Sequence, residues 1–243
     1  MKVLGIIPAR FRSSRFPGKP LIDLKGKSMI QRVYEAVNNS GLFDDVIVAT
    51  EDKRIYQKVI SFGGKVEMTS STHATGTDRC GEVVSRNSDF DVVINIQGDE
   101  PLVNPIQLSQ LIELFKSDDV EIGTLVSRNI ALEDISNPNR IKVVLDKNQK
   151  AIYFSRSAIP NTHHSKEKNF ANLSFFRHIG LYGYRTSILN ELVKLESCSL
   201  EQMESLEQLR WIYNGFSIHV AETEIETPNI DTPEDVEKVL ALL

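Results

Sequence analysis

Apolar residues in this chain alternate between short continuous runs and stretches in which they recur every three or four positions. The first run, residues 3–7, is too short for a helix and meets Pro8, which has no amide for a sheet ladder; it reads as a buried strand ending at a loop. Ile30, Val33, Tyr34 and Val37 then fall at helical spacing behind Ser28 as a cap, and Asn38 to Gly41 close that helix. A second strand is predicted over 46–50. The next helix opens at Glu51-Asp52, runs through Ile55, Val59 and Ile60 and stops at Gly63-Gly64 before a short third strand over 65–68. Strands and helices in strict alternation predict an α/β fold, a parallel sheet with helices on both faces.

Further along, a helix begins near Gly76 and carries Val83 and Val84, and residues 91–96 form the best candidate for a central strand. Leu108, Leu111, Ile112 and Phe115 mark a helix over 107–115, followed by a strand over 122–126 and an irregular stretch over 130–140. The texture changes at Ile141: residues 141–145 and 151–154 flank Asp-Lys-Asn-Gln and read as a hairpin-like excursion from the parallel sheet. Polar residues 161–172 read as a mobile loop, 175–185 as a strand with one buried face, 200–213 as one helix and 217–220 as a strand. Thr232, Pro233 and Asp235 resemble a capping box for the last helix, whose apolar face is Val236, Val239, Leu240 and Leu243.

With 243 residues the chain can bury a full core and is long enough for one large α/β domain or two small ones; we expect the former, a single three-layer domain over 1–243, with the excursion at about 141–185. A hydrophobic share of 41% and a charged share of 25% exclude a disordered chain. The formal net charge of −5 argues against nucleic acid as a partner. No apolar run reaches the roughly 20 residues of a membrane span. Met1-Lys2 leads directly into a strand, so no secretory signal is expected, and Cys80 and Cys198 fit unpaired thiols in a reducing cytoplasm.

Against that acidic balance one loop stands out. Arg10, Arg12, Arg15 and Lys19 crowd into ten positions with no acid among them. Such a loop is tolerable when solvated or when it encloses an anion. Pro8, Pro17, Gly18 and Pro20 favour a rigid cradle, and a position after the first strand is where open α/β sheets bind ligands, here a polyphosphate. The pattern GxxxxGK[ST] is absent, so this is no Walker loop. Residues 70–79, rich in hydroxyls, precede a helix start that suits a polar ligand; alternatively Thr77 is only a cap, His73 an exposed histidine and Arg79 a helical partner of Glu82. Asp99, released from the central strand by Gly98 and stopped by Pro101, points into the same crevice and is the first choice as a Mg²⁺ ligand. Asp231 is left spare by the cap beside it. For Glu207, a surface pair with Arg210 is the plain alternative.

The stretch GIIPARFRSSRFPGKPL resembles the amino-terminal signature of sugar nucleotidyltransferases that make CMP-linked acidic sugars. Together with HATGTDR, NIQGDEP, KVVLD, YFSRSAIP, RHIGLYGYR, SLEQLR and IDTPED, it resembles the 3-deoxy-manno-octulosonate cytidylyltransferase family over nearly the whole chain. The resemblance implies a mixed, mainly parallel sheet of the nucleotide-diphospho-sugar transferase type and a homodimer assembled partly through the excursion. It implies nucleotide contacts from Ala9, Arg10, Arg15, Lys19, His73, Thr75, Gly76, Arg79 and Gln97, with Gln97 also beside the sugar. Asp99 and Asp231 would hold Mg²⁺. Arg156, His178, Tyr182, Glu207 and Gln208 would bind the acidic sugar.

The expected reaction is attack of an octulosonate's anomeric hydroxyl on the α-phosphorus of CTP, giving CMP-Kdo and pyrophosphate for lipopolysaccharide assembly. Arg10, Lys19, Asp99 and Asp231 are the expected catalytic set, with Arg156 as a planar fork for the sugar carboxylate. An 8-amino sugar or sialic acid remains an alternative substrate. A glycosyltransferase and a non-catalytic nucleotide-binding module are rival readings.

Overall fold

Residues 3–9 combine β-branched and other apolar side chains with almost no exposure, the composition of a strand covered on both faces. In the computed structural model, which describes residues 1–12, 16–164 and 175–243, the same pattern repeats along the chain. The elements are β1 (Val3–Ala9), β2 (Asp23–Leu24), β3 (Lys27–Ser28), α1 (Met29–Asn38), β4 (Asp45–Thr50), α2 (Lys53–Ser61), β5 (Val66–Met68), α3 (Gly76–Arg86), β6 (Val92–Asn95) and α4 (Pro105–Leu114). There follow β7 (Ile122–Ser127), α5 (Leu132–Ser136), β8 (Lys142–Leu145), β9 (Ala151–Ser155), β10 (Phe176–Arg185), α6 (Thr186–Leu192), α7 (Ser199–Glu204), α8 (Gln208–Tyr213), β11 (Ile218–Glu222) and α9 (Pro233–Leu240). The class is the expected one, α/β with mostly parallel strands.

The chain divides into two compact units. The first comprises residues 1–109, 183–193 and 227–243. Its strands run β6-β1-β4-β5, all parallel, with Ile6 opposite Ile47 on one side and Asn95 on the other. Contrary to the sequence reading, β1 continues through Pro8 to Ala9. The reason is the alternation of the ladder. The Ile6 carbonyl accepts from Ile96, so the backbone groups of residue 8 point the same way, beyond the last paired residue of β6, where a missing amide costs nothing. Behind the basic loop, Leu24, Met29, Ile230 and Val239 form a buried cluster, with Phe16 and Leu102 packed on it.

The second unit comprises residues 110–182 and 194–226. Here β11 pairs with β7 in parallel, and β8 pairs antiparallel with both β9 and β10. The predicted hairpin excursion is therefore present as β8 and β9. Three expectations change. The stretch 130–140 contains the helix α5. The single helix over 200–213 is two, because Ser205 takes a left-handed conformation (φ 51°) that breaks the hydrogen-bond series. Strand β10 is buried along most of its length rather than on one face. The expected mobile loop lies mostly outside the described residues. Both cysteines are buried and neither is in a disulfide, and among the described residues no helix is long and apolar enough to cross a membrane.

Candidate active site

Within the first unit, the carboxyl ends of β1 and β6 open onto a cavity of about 460 Å³. Parallel strands leave their ends bare of hairpin turns, and the loops that follow must diverge to reach their helices, which opens a crevice there. From the last residue of β1 and the loop after it come Ala9, Arg10 and Arg12, and from the short 3-10 turn at Lys19–Leu21 comes Lys19. The loop after β6 supplies Gln97, Gly98 and Asp99, while Gly76, Arg79 and Asp231 complete the wall. Eight of the residues picked from the sequence thus share one cavity. Arg15 lies outside the described residues.

Opposite charges meet at its floor. Lys19 Nζ is 2.6 Å from Asp99 Oδ2 and 3.7 Å from Asp231 Oδ1, and it donates to the Ile230 carbonyl at 2.9 Å. The Ile230 amide in turn donates to the Asp99 carbonyl at 2.9 Å, so the two acids, 132 positions apart in sequence, are stitched together by backbone as well as by charge. Asp235 Oδ2 accepts from the Thr232 amide at 3.0 Å and from the Asp231 amide at 3.2 Å, the cap that the sequence suggested. Two carboxylates already sharing a cation are a hard-oxygen donor set of the kind that suits Mg²⁺. Among the described residues no three His, Cys, Asp or Glu side chains gather as an all-protein metal cage. An ion held here would therefore draw other oxygens from phosphate and water, which is how Mg²⁺ is commonly bound.

The loop before α3 is braced rather than loose. Arg10 Nη1 donates to the Ala74 carbonyl at 3.0 Å, linking the basic loop to it. Thr75, not Thr77, caps α3, in a capping box with Asp78. His73, a nucleotide candidate whose plain alternative was an exposed histidine, lies 2.5 Å from Glu82 Oε2. Burial alone would raise the Glu82 pKa, but the Ser70 amide, His73 and Arg86 outweigh it and hold it below the usual carboxylate range. Arg79 pairs not with Glu82 but with Glu51, at 2.8 Å, and also bonds Thr69. Its guanidinium is 1% exposed, and burial lowers its pKa while Glu51 opposes the shift. His73 and Thr75 are not among the cavity's lining residues. Glu51 was missed as a site residue; its position at the carboxyl end of β4 was the available signal.

The remaining candidates lie in the second unit. Arg156 donates from Nε to the Glu204 carbonyl at 2.7 Å, from Nη1 to Pro138 at 2.9 Å and from Nη2 to Ser205 at 3.2 Å. The guanidinium is therefore clamped at the end of β9, and a carboxylate would take the second proton on each η nitrogen. Lys142, fully buried, tightens the same corner by donating to the carbonyls of Asn137, Arg140 and Arg156. His178 sits against Phe154 and Tyr182, with ring centroids at 5.0 and 5.2 Å, and Nε2 is 3.0 Å from Thr124 Oγ1. Desolvation, with the neighbouring Arg177 charge second, lowers its pKa to about 3, so the imidazole is neutral and a hydrogen-bonding group rather than a cation. Tyr182 packs edge-on against Trp211 at 5.1 Å. Gln208 is buried on α8, and Glu207 accepts from Arg210 at 3.0 Å; Arg210 is only 8% exposed, so this is not a surface pair.

Comparison with known proteins gives a consistent result. The sequence model described as "Cytidylyltransferase" matches residues 4–224. A 3-deoxy-manno-octulosonate cytidylyltransferase of Bacteroides thetaiotaomicron is 52% identical over 97% of this chain and 96% of its own. One of Parabacteroides distasonis is 50% identical over 100% and 98%. A solved structure, CMP:2-keto-3-deoxy-manno-octonic acid synthetase complexed with CTP, superposes with a TM-score of 0.92 at 40% identity, covering 100% of this chain and 98% of that one.

Proposed function

Since this chain belongs to the 3-deoxy-manno-octulosonate cytidylyltransferase family, we propose that it joins CTP to 3-deoxy-manno-octulosonate (Kdo), releasing pyrophosphate and forming CMP-Kdo. The observation that carries this reading is the cavity in which Arg10 and Lys19 face Asp99 and Asp231 at the carboxyl ends of parallel strands.

In the reaction, the oxygen of the anomeric hydroxyl forms a bond to the α-phosphorus. The bond from that phosphorus to the bridging oxygen breaks, pyrophosphate leaves with the electron pair, and the hydroxyl proton passes to solvent. Little covalent work falls to the protein, so catalysis rests on positioning and charge. Arg10 and Arg12 meet phosphate oxygens at the mouth of the cavity, and Lys19 neutralises charge on the triphosphate from its floor. Gln97 and the helix start at Gly76 offer polar contacts to the nucleoside, Arg79 holding that wall through Glu51. Mg²⁺ held by Asp99 and Asp231 would supply a Lewis acid for phosphate oxygens. Arg156 presents a pre-clamped guanidinium to the sugar carboxylate, and the neutral His178, with Tyr182, Glu207 and Gln208, serves the sugar hydroxyls.

We further read the enzyme as a cytoplasmic homodimer that supplies an activated sugar to lipopolysaccharide assembly. The exposed Ile152 on the β8–β9 hairpin supports a contact between copies there. Pyrophosphate release with each of four nucleoside triphosphates against Kdo, its 8-amino analogue and sialic acid tests the proposal. Release with CTP and Kdo, and no acceptor added, is expected; an enzyme that consumes a preformed nucleotide sugar, or a module that only binds CTP, gives none.

A further inference from the structure

Two side chains outside the proposed catalytic set converge on the basic loop. Phe11 and Gly18 lie just inside Arg10 and Lys19, and the Gly18 amide donates to the Phe11 carbonyl at 2.8 Å. Gly18 has φ +75°, and a Cβ there would lie 3.0 Å from Phe11 Cζ, so the aromatic ring rests on the glycine. Over the same ring lies the Arg54 guanidinium, with Cζ 3.3 Å from the ring centroid. Arg54 does not hang free. Asp52, the N-cap of α2, grips it in two places, from Nε at 2.9 Å and from Nη2 at 2.7 Å. A line of contact thus runs from the start of α2 through Arg54 and Phe11 to Gly18.

The neighbours of Phe11 and Gly18 give this line its meaning. Arg10 precedes Phe11 and Lys19 follows Gly18, and both line the cavity. We propose that Phe11 and Arg54 form a clasp that sets the separation of Arg10 and Lys19, making them positioning residues for the nucleotide triphosphate. Four cations in one short loop repel one another, so without a brace the loop spreads, and the ordering must then be done when the nucleotide binds. Arginine suits the brace because its planar guanidinium stacks on an aromatic face while its edge still engages a carboxylate in two places. The clasp acts through Arg10 and Lys19, which serve the triphosphate, so its effect falls on CTP.

This inference rests on the CTP reading, and the test separates the two. Wild type, Phe11→Leu, Phe11→Tyr, Arg54→Met and Arg54→Lys are compared by CTP calorimetry, steady-state kinetics in both substrates and thermal melting. Phe11→Leu and Arg54→Met are expected to raise Kd and KM for CTP about tenfold, with KM for Kdo unchanged and a smaller change in kcat. Phe11→Tyr, which keeps the ring, should restore wild-type KM, and Arg54→Lys should fall between. Unchanged CTP binding in Phe11→Leu and Arg54→Met overturns the clasp alone. So does a parallel rise in both KM values with a lowered melting temperature, the mark of a merely structural role. A wild type that binds no CTP overturns the CTP reading and the clasp together.

Discussion

Lys19 Nζ lies 2.6 Å from Asp99 Oδ2, and the same ammonium is shared with Asp231 at 3.7 Å. Asp99 therefore has two tasks in the proposed mechanism, fixing Lys19 and binding Mg²⁺, and both depend on its charge. Asp99→Asn keeps the shape and removes the charge. Turnover is expected to fall at least tenfold, about 1.4 kcal/mol of barrier, when pyrophosphate release is followed at limiting Mg²⁺. Full activity in that variant under those conditions would refute the metal assignment.

Arg79 is almost fully buried and its ion pair is with Glu51, on the loop after β4. Removing one partner of a buried pair strands the other charge, which is the costly outcome. Glu51→Ala is expected to cost about 3 kcal/mol, read as a shift in the urea midpoint at unchanged slope. A midpoint within experimental error of wild type would show that Thr69 and Ser70 suffice to hold the guanidinium.

The four parallel strands and most helices of the first unit were legible because each apolar run maps onto one element, and Asp52 and the Thr232–Asp235 cap carried the right residues at the right spacing, whereas the two-residue strands β2 and β3 carry no such run. The basic loop and Asp99 could be placed for the same reason: they follow directly from strands whose ends were visible. What the sequence hid were partners chosen by tertiary contact. Glu82 was the helical neighbour of Arg79, yet it serves Ser70, His73 and Arg86, while Glu51 takes Arg79. The break at Ser205 lies within a run of helix-compatible residues with no glycine or proline to announce it. Pro8 ended a strand on propensity alone, whereas the register of β6 leaves its missing amide without consequence.

Gly98 marks the closest approach of the β6 loop to β1. A Cβ there would sit 2.8 Å from the Pro8 carbonyl oxygen, a main-chain atom that cannot swing aside. Gly98→Ala is expected to push the two segments apart, destabilising the fold by about 1–3 kcal/mol and lowering turnover by displacing Asp99. Gly180→Ala, where a Cβ meets nothing within 4 Å, is the control. Equal midpoints and turnover for the two variants would show that the loop yields without consequence.

Acid sensitivity follows from His178. In the folded protein its pKa is lowered from 6.5 to about 3, first by desolvation and second by Arg177. Between those values the unfolded chain takes up a proton that the folded chain refuses, so protonation favours unfolding and stability falls as pH drops below 6.5. At pH 5 this contribution amounts to roughly 2 kcal/mol relative to neutral pH. Carboxylates titrate in the same range, so the measurement is the difference between wild type and His178→Gln in urea midpoints from pH 7.5 to pH 4.5. The variant has no imidazole to charge, and its stability should decline less steeply on acidification, so that the two curves converge or cross towards low pH. A difference that stays constant across the range would mean that His178 takes up its proton in the folded protein as readily as in the unfolded chain, and that burial does not keep it neutral towards the sugar.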